Sequence, residues 1–137
     1  MPYELISHTA DYAARIRAET EEGLFLEAAG ALVSMITDPG LLSGGKPVTV
    51  TAEGDDRADL MVNWLREILS FFVVDGLIVR ISGIESLTET AVSALGTAVP
   101  FDPAKHPVYK EIKAVTYHAA RAERAGSGWE AQIVFDV

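Results

Sequence analysis

Hydrophobic and polar positions change their spacing several times along this chain, and each change marks an element. Residues 3–7 and 12–18 carry strand-like patterns around a polar break, His8-Thr9-Ala10-Asp11. In the second segment Ala14, Ile16 and Ala18 alternate with Arg15, Arg17 and Glu19, the period of two of a half-buried strand. From residue 22 the period lengthens: Leu24, Ala28, Leu32 and Met35 recur at helical spacing up to residue 36. Thr20 stands at the N-cap position, with Glu21 and Glu22 favourably placed in the first turn. Thr37-Asp38-Pro39-Gly40 ends that helix, and a Gly-rich loop over 38–46 follows.

Val48 and Val50 alternate with Thr49 and Thr51, a strand closing at Glu53-Gly54. The strongest pattern comes next. Asp55 or Asp56 caps a helix whose Leu60, Met61, Trp64, Leu65, Ile68, Leu69 and Phe72 form one apolar stripe. Arg57, Asn63, Arg66 and Glu67 hold its other face, and Asp75-Gly76 ends it. Strand patterns then cover residues 77–81, 84–88, 92–99, 111–123 and 129–137, with a loop from Pro100 through Pro107. Ala125-Gly126-Ser127-Gly128 supplies a hairpin turn. The order predicts an α+β fold, a largely antiparallel β-sheet with two main helices packed on it, as a single domain over 1–137.

Composition narrows the function. The 137 residues contain no cysteine, which removes disulfides, thiolate metal sites and a cysteine nucleophile. The start lacks a signal-peptide pattern, and no apolar run reaches the ~18 residues that span a bilayer, so a soluble cytoplasmic protein is expected, without membrane contact. Lys and Arg number 11 against 20 Asp and Glu, a net charge of −9. Nucleic-acid binders neutralise phosphates with basic clusters, and none occurs here; direct RNA binding is not expected.

Among candidate chemistries, His8, His106 and His118 are too scattered for a helix-borne zinc site and read as structural, with His8 able to orient a neighbouring carboxylate. No serine lies in a nucleophile elbow, and Gly44-Gly45-Lys46 is followed by Pro47 and a strand, not by the helix of a phosphate loop. Asp11, Asp38 and Asp136 all sit at element ends that can converge at one sheet edge. Their oxygens suit Ca²⁺, Mg²⁺ or Mn²⁺, with terminal oxygen from Val137 beside them. Spacing alone equally allows a turn residue, a helix-ending residue and a solvated tail. Glu111 and Lys113, two apart on one expected strand, would share a face and form at least a surface ion pair.

His8-Thr9-Ala10-Asp11, the Trp64-Leu65-x-x-Ile68-Leu69 helix and the Pro100-Phe101-Asp102-Pro103-x-x-His106 loop, with residues 111–118 and the closing segment to Asp136-Val137, resemble the archease family over essentially the whole chain. That resemblance implies an accessory factor of the GTP-dependent RNA-splicing ligase, not an enzyme, which promotes guanylylation and multiple turnover in tRNA splicing. It implies a metal site, occupied by Ca²⁺ in crystals or by Mn²⁺ or Mg²⁺, at Asp11, Asp136 and Val137, with Asp38 at a further acidic position. It places the activating lysine at Lys113. It also leaves a role as modulator or chaperone of a tRNA cytosine methyltransferase. A metal-dependent hydrolase using the same acids is the enzymatic alternative. Tyr12 and Arg66 depart from the family's usual residues.

Overall fold

The computed structural model describes residues 3–7 and 11–137, apart from the side chains of residues 5–7 and 11. Among the described residues, seven strands and two α-helices follow in the order β1 (Tyr3–Ser7), β2 (Asp11–Ala18), α1 (Glu21–Ile36), β3 (Lys46–Glu53), α2 (Arg57–Asp75), β4 (Leu77–Leu87), β5 (Ala91–Pro100), β6 (Ala114–Ala125) and β7 (Gly128–Asp136). The short turn Pro39–Leu41 is a 3-10 helix within the Gly-rich loop. All strand pairing is antiparallel.

The expected α+β class holds, and the strands divide between two sheets, β1-β2-β7-β6 and β3-β5-β4. Each helix touches both: α1 packs on β2, β7 and β4, and α2 packs on β6, β3 and β4. The helices therefore form the layer between the sheets. That explains the composition of α1, whose Leu24, Phe25, Ala28, Ala29, Ala31, Leu32, Val33, Met35 and Ile36 are all buried. A helix covered on two sides must be apolar over most of its circumference.

Local chemistry fixes the ends. The Thr20 hydroxyl accepts from Gly23 N at 3.0 Å to start α1. Asp56, one of the two expected caps, starts α2 by accepting from Asp59 N at 2.8 Å, while Asp59 Oδ2 accepts from Asp55 N at 2.8 Å. Gly76 ends α2 with φ 66°, a left-handed conformation that costs glycine nothing. Between the helices, Trp64 Nε1–H donates to the Phe25 carbonyl at 3.0 Å, and the two rings meet edge to face at 6.2 Å. Arg57 ties the N-terminal ends together: its Nε–H meets Glu21 at 3.1 Å and its guanidinium lies 4.7 Å from the Trp129 ring centre.

Three expectations need correction. The patterns at 77–81 and 84–88 belong to one strand, β4, and the interruption near Gly83 is a pair of bulges, at Ile81/Gly83 and Ile84/Ser86. The alternation over 111–123 is not all strand: β6 begins at Ala114 because β7 ends at Asp136 and leaves 111–112 no ladder to join. Within β6 the register breaks, with Tyr117, His118, Ala119 and Ala120 opposing Ile133 alone. Ala119 there has φ 57°, so the alternation expected over 111–123 does not run unbroken through this segment.

Candidate functional site: the carboxylate edge of the four-stranded sheet

The ladder joining β2 to β7 begins with Asp11 opposite Asp136. Opposed positions of an antiparallel pair share one face, with Cβ atoms about 4.5–5.5 Å apart. Ile16, Ala14, Ala131, Ile133 and Phe135 are buried toward the helices. The alternation therefore puts positions 11 and 136 on the outer face, in line with the Arg15–Gln132 and Arg17–Glu130 pairs. On the other side of Asp136 stands Ala114 of β6. The ladder continues one step further, since Lys113 N–H donates to the Asp136 carbonyl at 2.8 Å.

The segment that carries Lys113 also gathers the other elements at this end. Tyr109 N–H donates to the Ile36 carbonyl at 2.9 Å, two residues before Asp38. Lys110 Nζ sits 3.9 Å from the centre of the Tyr12 ring, next to Asp11 in the chain. Contacts thus run from the end of α1, through residues 109–113, to the first residues of β2 and the last of β7. Asp38 itself caps the 3-10 turn, its Oδ1 accepting from Gly40 N at 2.9 Å. Beside it, Thr37 is fully buried and its hydroxyl has no hydrogen-bond partner among the described residues.

Glu111 and Lys113 precede β6 and are not within it. Buried Ile112 between them leaves both exposed, as the alternation required, but the expected ion pair between them is not formed among the described residues. Lys113 lines a groove against α2 with Arg66, Val73 and Val74. Its side chain therefore serves the helix side of the sheet, and the Asp11–Asp136 positions serve the outer side.

The histidines divide. His8 lies outside the described residues. His106 is buried, and its Nδ1 accepts from Asp102 N at 2.9 Å, an imidazole committed to holding its own loop. His118 is exposed on the β6 bulge. Nearby, the Asp56 carboxylate, with lesser effects from burial, Asp59 and Asp55, raises the Tyr117 phenol above its ordinary value. Among the described residues no group of three or more acidic or histidine side chains is close enough to hold a metal ion, and the side chain of Asp11 lies outside that set. The donors at this edge are carboxylate and backbone oxygens, which fit a hard cation.

The Archease protein family model matches residues 3–137. The chain belongs to the archease family. Protein archease of Methanopyrus kandleri is 39% identical over 140 residues, covering 100% of each chain. Its counterpart in Methanosarcina mazei is 35% identical, covering 98% of this chain and 95% of the relative. The fold is similar to that of the Thermotoga maritima archease, whose crystal structure is described as an archease, "possible chaperone" (TM-score 0.68, 22% identity, 98% and 96% covered). A solution structure from Methanobacterium thermoautotrophicum is also similar (TM-score 0.79, 22% identity, 99% of each chain covered).

For an archease, the acidic positions were visible in the sequence, but several neighbours were not. Lys110 over Tyr12 has no spacing signature, because the partners are distant in sequence. Arg66 carried only the signal of a polar helix face. It spans to β6, its Nε–H donating to the Val115 carbonyl at 3.0 Å. Val73 and Val74 continued an apolar helix pattern, yet 63% and 74% of their surfaces are exposed.

Proposed function

We propose that this archease is an accessory factor of the GTP-dependent RNA-splicing ligase, promoting its guanylylation and multiple turnover without catalysing a reaction of its own. Asp11 and Asp136 would hold a divalent cation, with Asp38 and a backbone oxygen of Val137 completing the donor set and His8 orienting a carboxylate. The bound ion would supply positive charge for phosphate groups. The chain's own residues would aim the carboxylates and present Lys113 to an acidic group of the ligase. The observation that carries this reading is the opposition of Asp11 and Asp136 at the first rung of the β2–β7 ladder. Two like charges so placed repel, and a shared cation converts that repulsion into binding. A net charge of −9 favours a partner basic enough to hold RNA, and leaves the RNA to that partner.

The test is a multiple-turnover ligation assay with the cognate ligase. Asp11→Ala and Asp136→Ala are expected to lose most of the stimulation. Full stimulation by both variants overturns the metal reading. A cytoplasmic location follows from the same role; among the described residues no helix is long and apolar enough to cross a membrane.

The description of the Thermotoga relative favours a second reading, a chaperone-like partner. The client in that reading, a tRNA cytosine methyltransferase, is what the family resemblance implies. Recovery of the methyltransferase and not of the ligase in a pull-down with this chain would decide for it.

A further inference from the structure

The C-terminal end of α2 presents Val73 and Val74, 63% and 74% exposed, where solvent alone would favour polar side chains. They border a groove of about 320 Å³ between α2 and the start of β6, whose lining also includes Leu69, Ser70, Arg66 and Lys113. Arg66 is fixed at the wall by its bond to the Val115 carbonyl, 3.0 Å long. Neither Arg66 nor Lys113 forms an ion pair among the described residues. In a chain of net charge −9, two cations left unpaired at the edges of one apolar groove are a local inversion of the surface.

We infer that this groove seats a segment of a protein partner that carries an apolar side chain followed by a carboxylate. The apolar group packs between Leu69, Val73 and Val74, and the carboxylate lies between Arg66 and Lys113. The volume is at the low end for binding pockets, of order 300–1,000 Å³, and suits one or two side chains. A nucleic-acid backbone is a poor occupant, because the surrounding acidic surface repels a polyanion and valines offer nothing to sugars and phosphates. Charge-assisted pairing with a single carboxylate avoids both problems. The inference rests on the reading of this protein as a ligase accessory factor, which makes the ligase the partner that supplies the segment. It assigns Lys113 to recognition on the helix side of the sheet, apart from the carboxylates on the outer side.

The experiment is titration calorimetry of the full chain against the cognate ligase. Val74→Asp and Lys113→Glu are each expected to weaken binding about tenfold or more, as removal of a central contact does. Leu95→Asp, at an exposed leucine of β5 outside the groove, is the control and keeps wild-type affinity. Both replaced side chains are exposed, so the variants are expected to fold, which circular dichroism checks. Wild-type affinity in both groove variants overturns the groove and leaves the ligase reading standing. Absence of binding by the wild-type chain overturns that reading and the groove with it.

Discussion

Asp11 and Asp136, separated by nearly the whole chain, face each other at the end of the β2–β7 ladder. Acidic residues at opposed positions of an antiparallel pair destabilise a sheet unless something positive lies between them. Asp136→Asn is therefore expected to raise the Tm of the chelated protein. The wild type is expected to gain Tm on adding Ca²⁺ or Mn²⁺, by the equivalent of about 2.7 kcal/mol at a hundred times Kd. The Asn variant should show little of that gain. Thermal unfolding with chelator and with each ion measures both effects, and an unchanged wild-type Tm would remove the cation from the account.

Trp64 joins the helices in two ways, by filling the middle of the core and by donating to the Phe25 carbonyl. Trp64→Phe removes ring volume and the indole hydrogen bond. The Phe25 carbonyl, inside α1, keeps its intrahelical partner, so the lost bond costs about 0.5–1.5 kcal/mol. Loss of packing adds to it. Chemical denaturation is expected to show a total of about 2–4 kcal/mol with the m-value unchanged.

Much of this architecture was legible because the patterns that announce it are local. Thr20, Asp56 and Gly76 cap their helices through contacts within a few residues, and Ala14 and Ile16 declare their face by alternation. The division into two sheets was not legible, since it depends on which strands pair. The partnership of β2 with β7 spans the sequence from Asp11 to Asp136. An apolar α1 was consistent with one covering sheet or with two, and only the packing decides. Gly83 suggested a break where the backbone bulges and continues. The β6 bulge carries no glycine at its left-handed residue, so nothing marked it. At the candidate site, three acids at element ends could be picked out, but not the groove beside Lys113, because apolar helix positions usually mean core.

Glu130 links β7 to both neighbours, bonding Arg17 of β2 at 3.3 Å and Arg121 of β6 at 3.2 Å. The Arg17 hydrogen bond, opposed by burial and reinforced by Arg121, holds its carboxyl below the ordinary value of 4.5. A carboxylate with a depressed folded value stabilises the protein above its unfolded pKa and loses that contribution as pH falls through the folded value. Glu130→Gln is thus expected to cost about 0.2–1 kcal/mol for each pair at pH 7 and nothing at a pH below both values. Denaturation of the two proteins at neutral and acid pH should show curves that converge on the acid side. A constant difference across the range would contradict the assignment.

Ala119 is the one described non-glycine residue with a positive φ, 57°, and it sits where four residues of β6 oppose one of β7. An L-residue in the left-handed region strains Cβ against the following carbonyl by roughly 1–2 kcal/mol, whereas glycine adopts it freely. Glycine also loses more backbone entropy on folding, by about 0.5–1 kcal/mol, which cancels part of the benefit. Ala119→Gly is accordingly expected to stabilise the protein by about 0.5 kcal/mol. Ala119→Val should destabilise it by at least about 1 kcal/mol, since a β-branched side chain is a genuine outlier at this φ. Paired denaturation curves check the order Gly above Ala above Val. If valine is tolerated as well as glycine, the bulge does not hold this residue left-handed in solution, and β6 pairs with β7 in another register past Thr116.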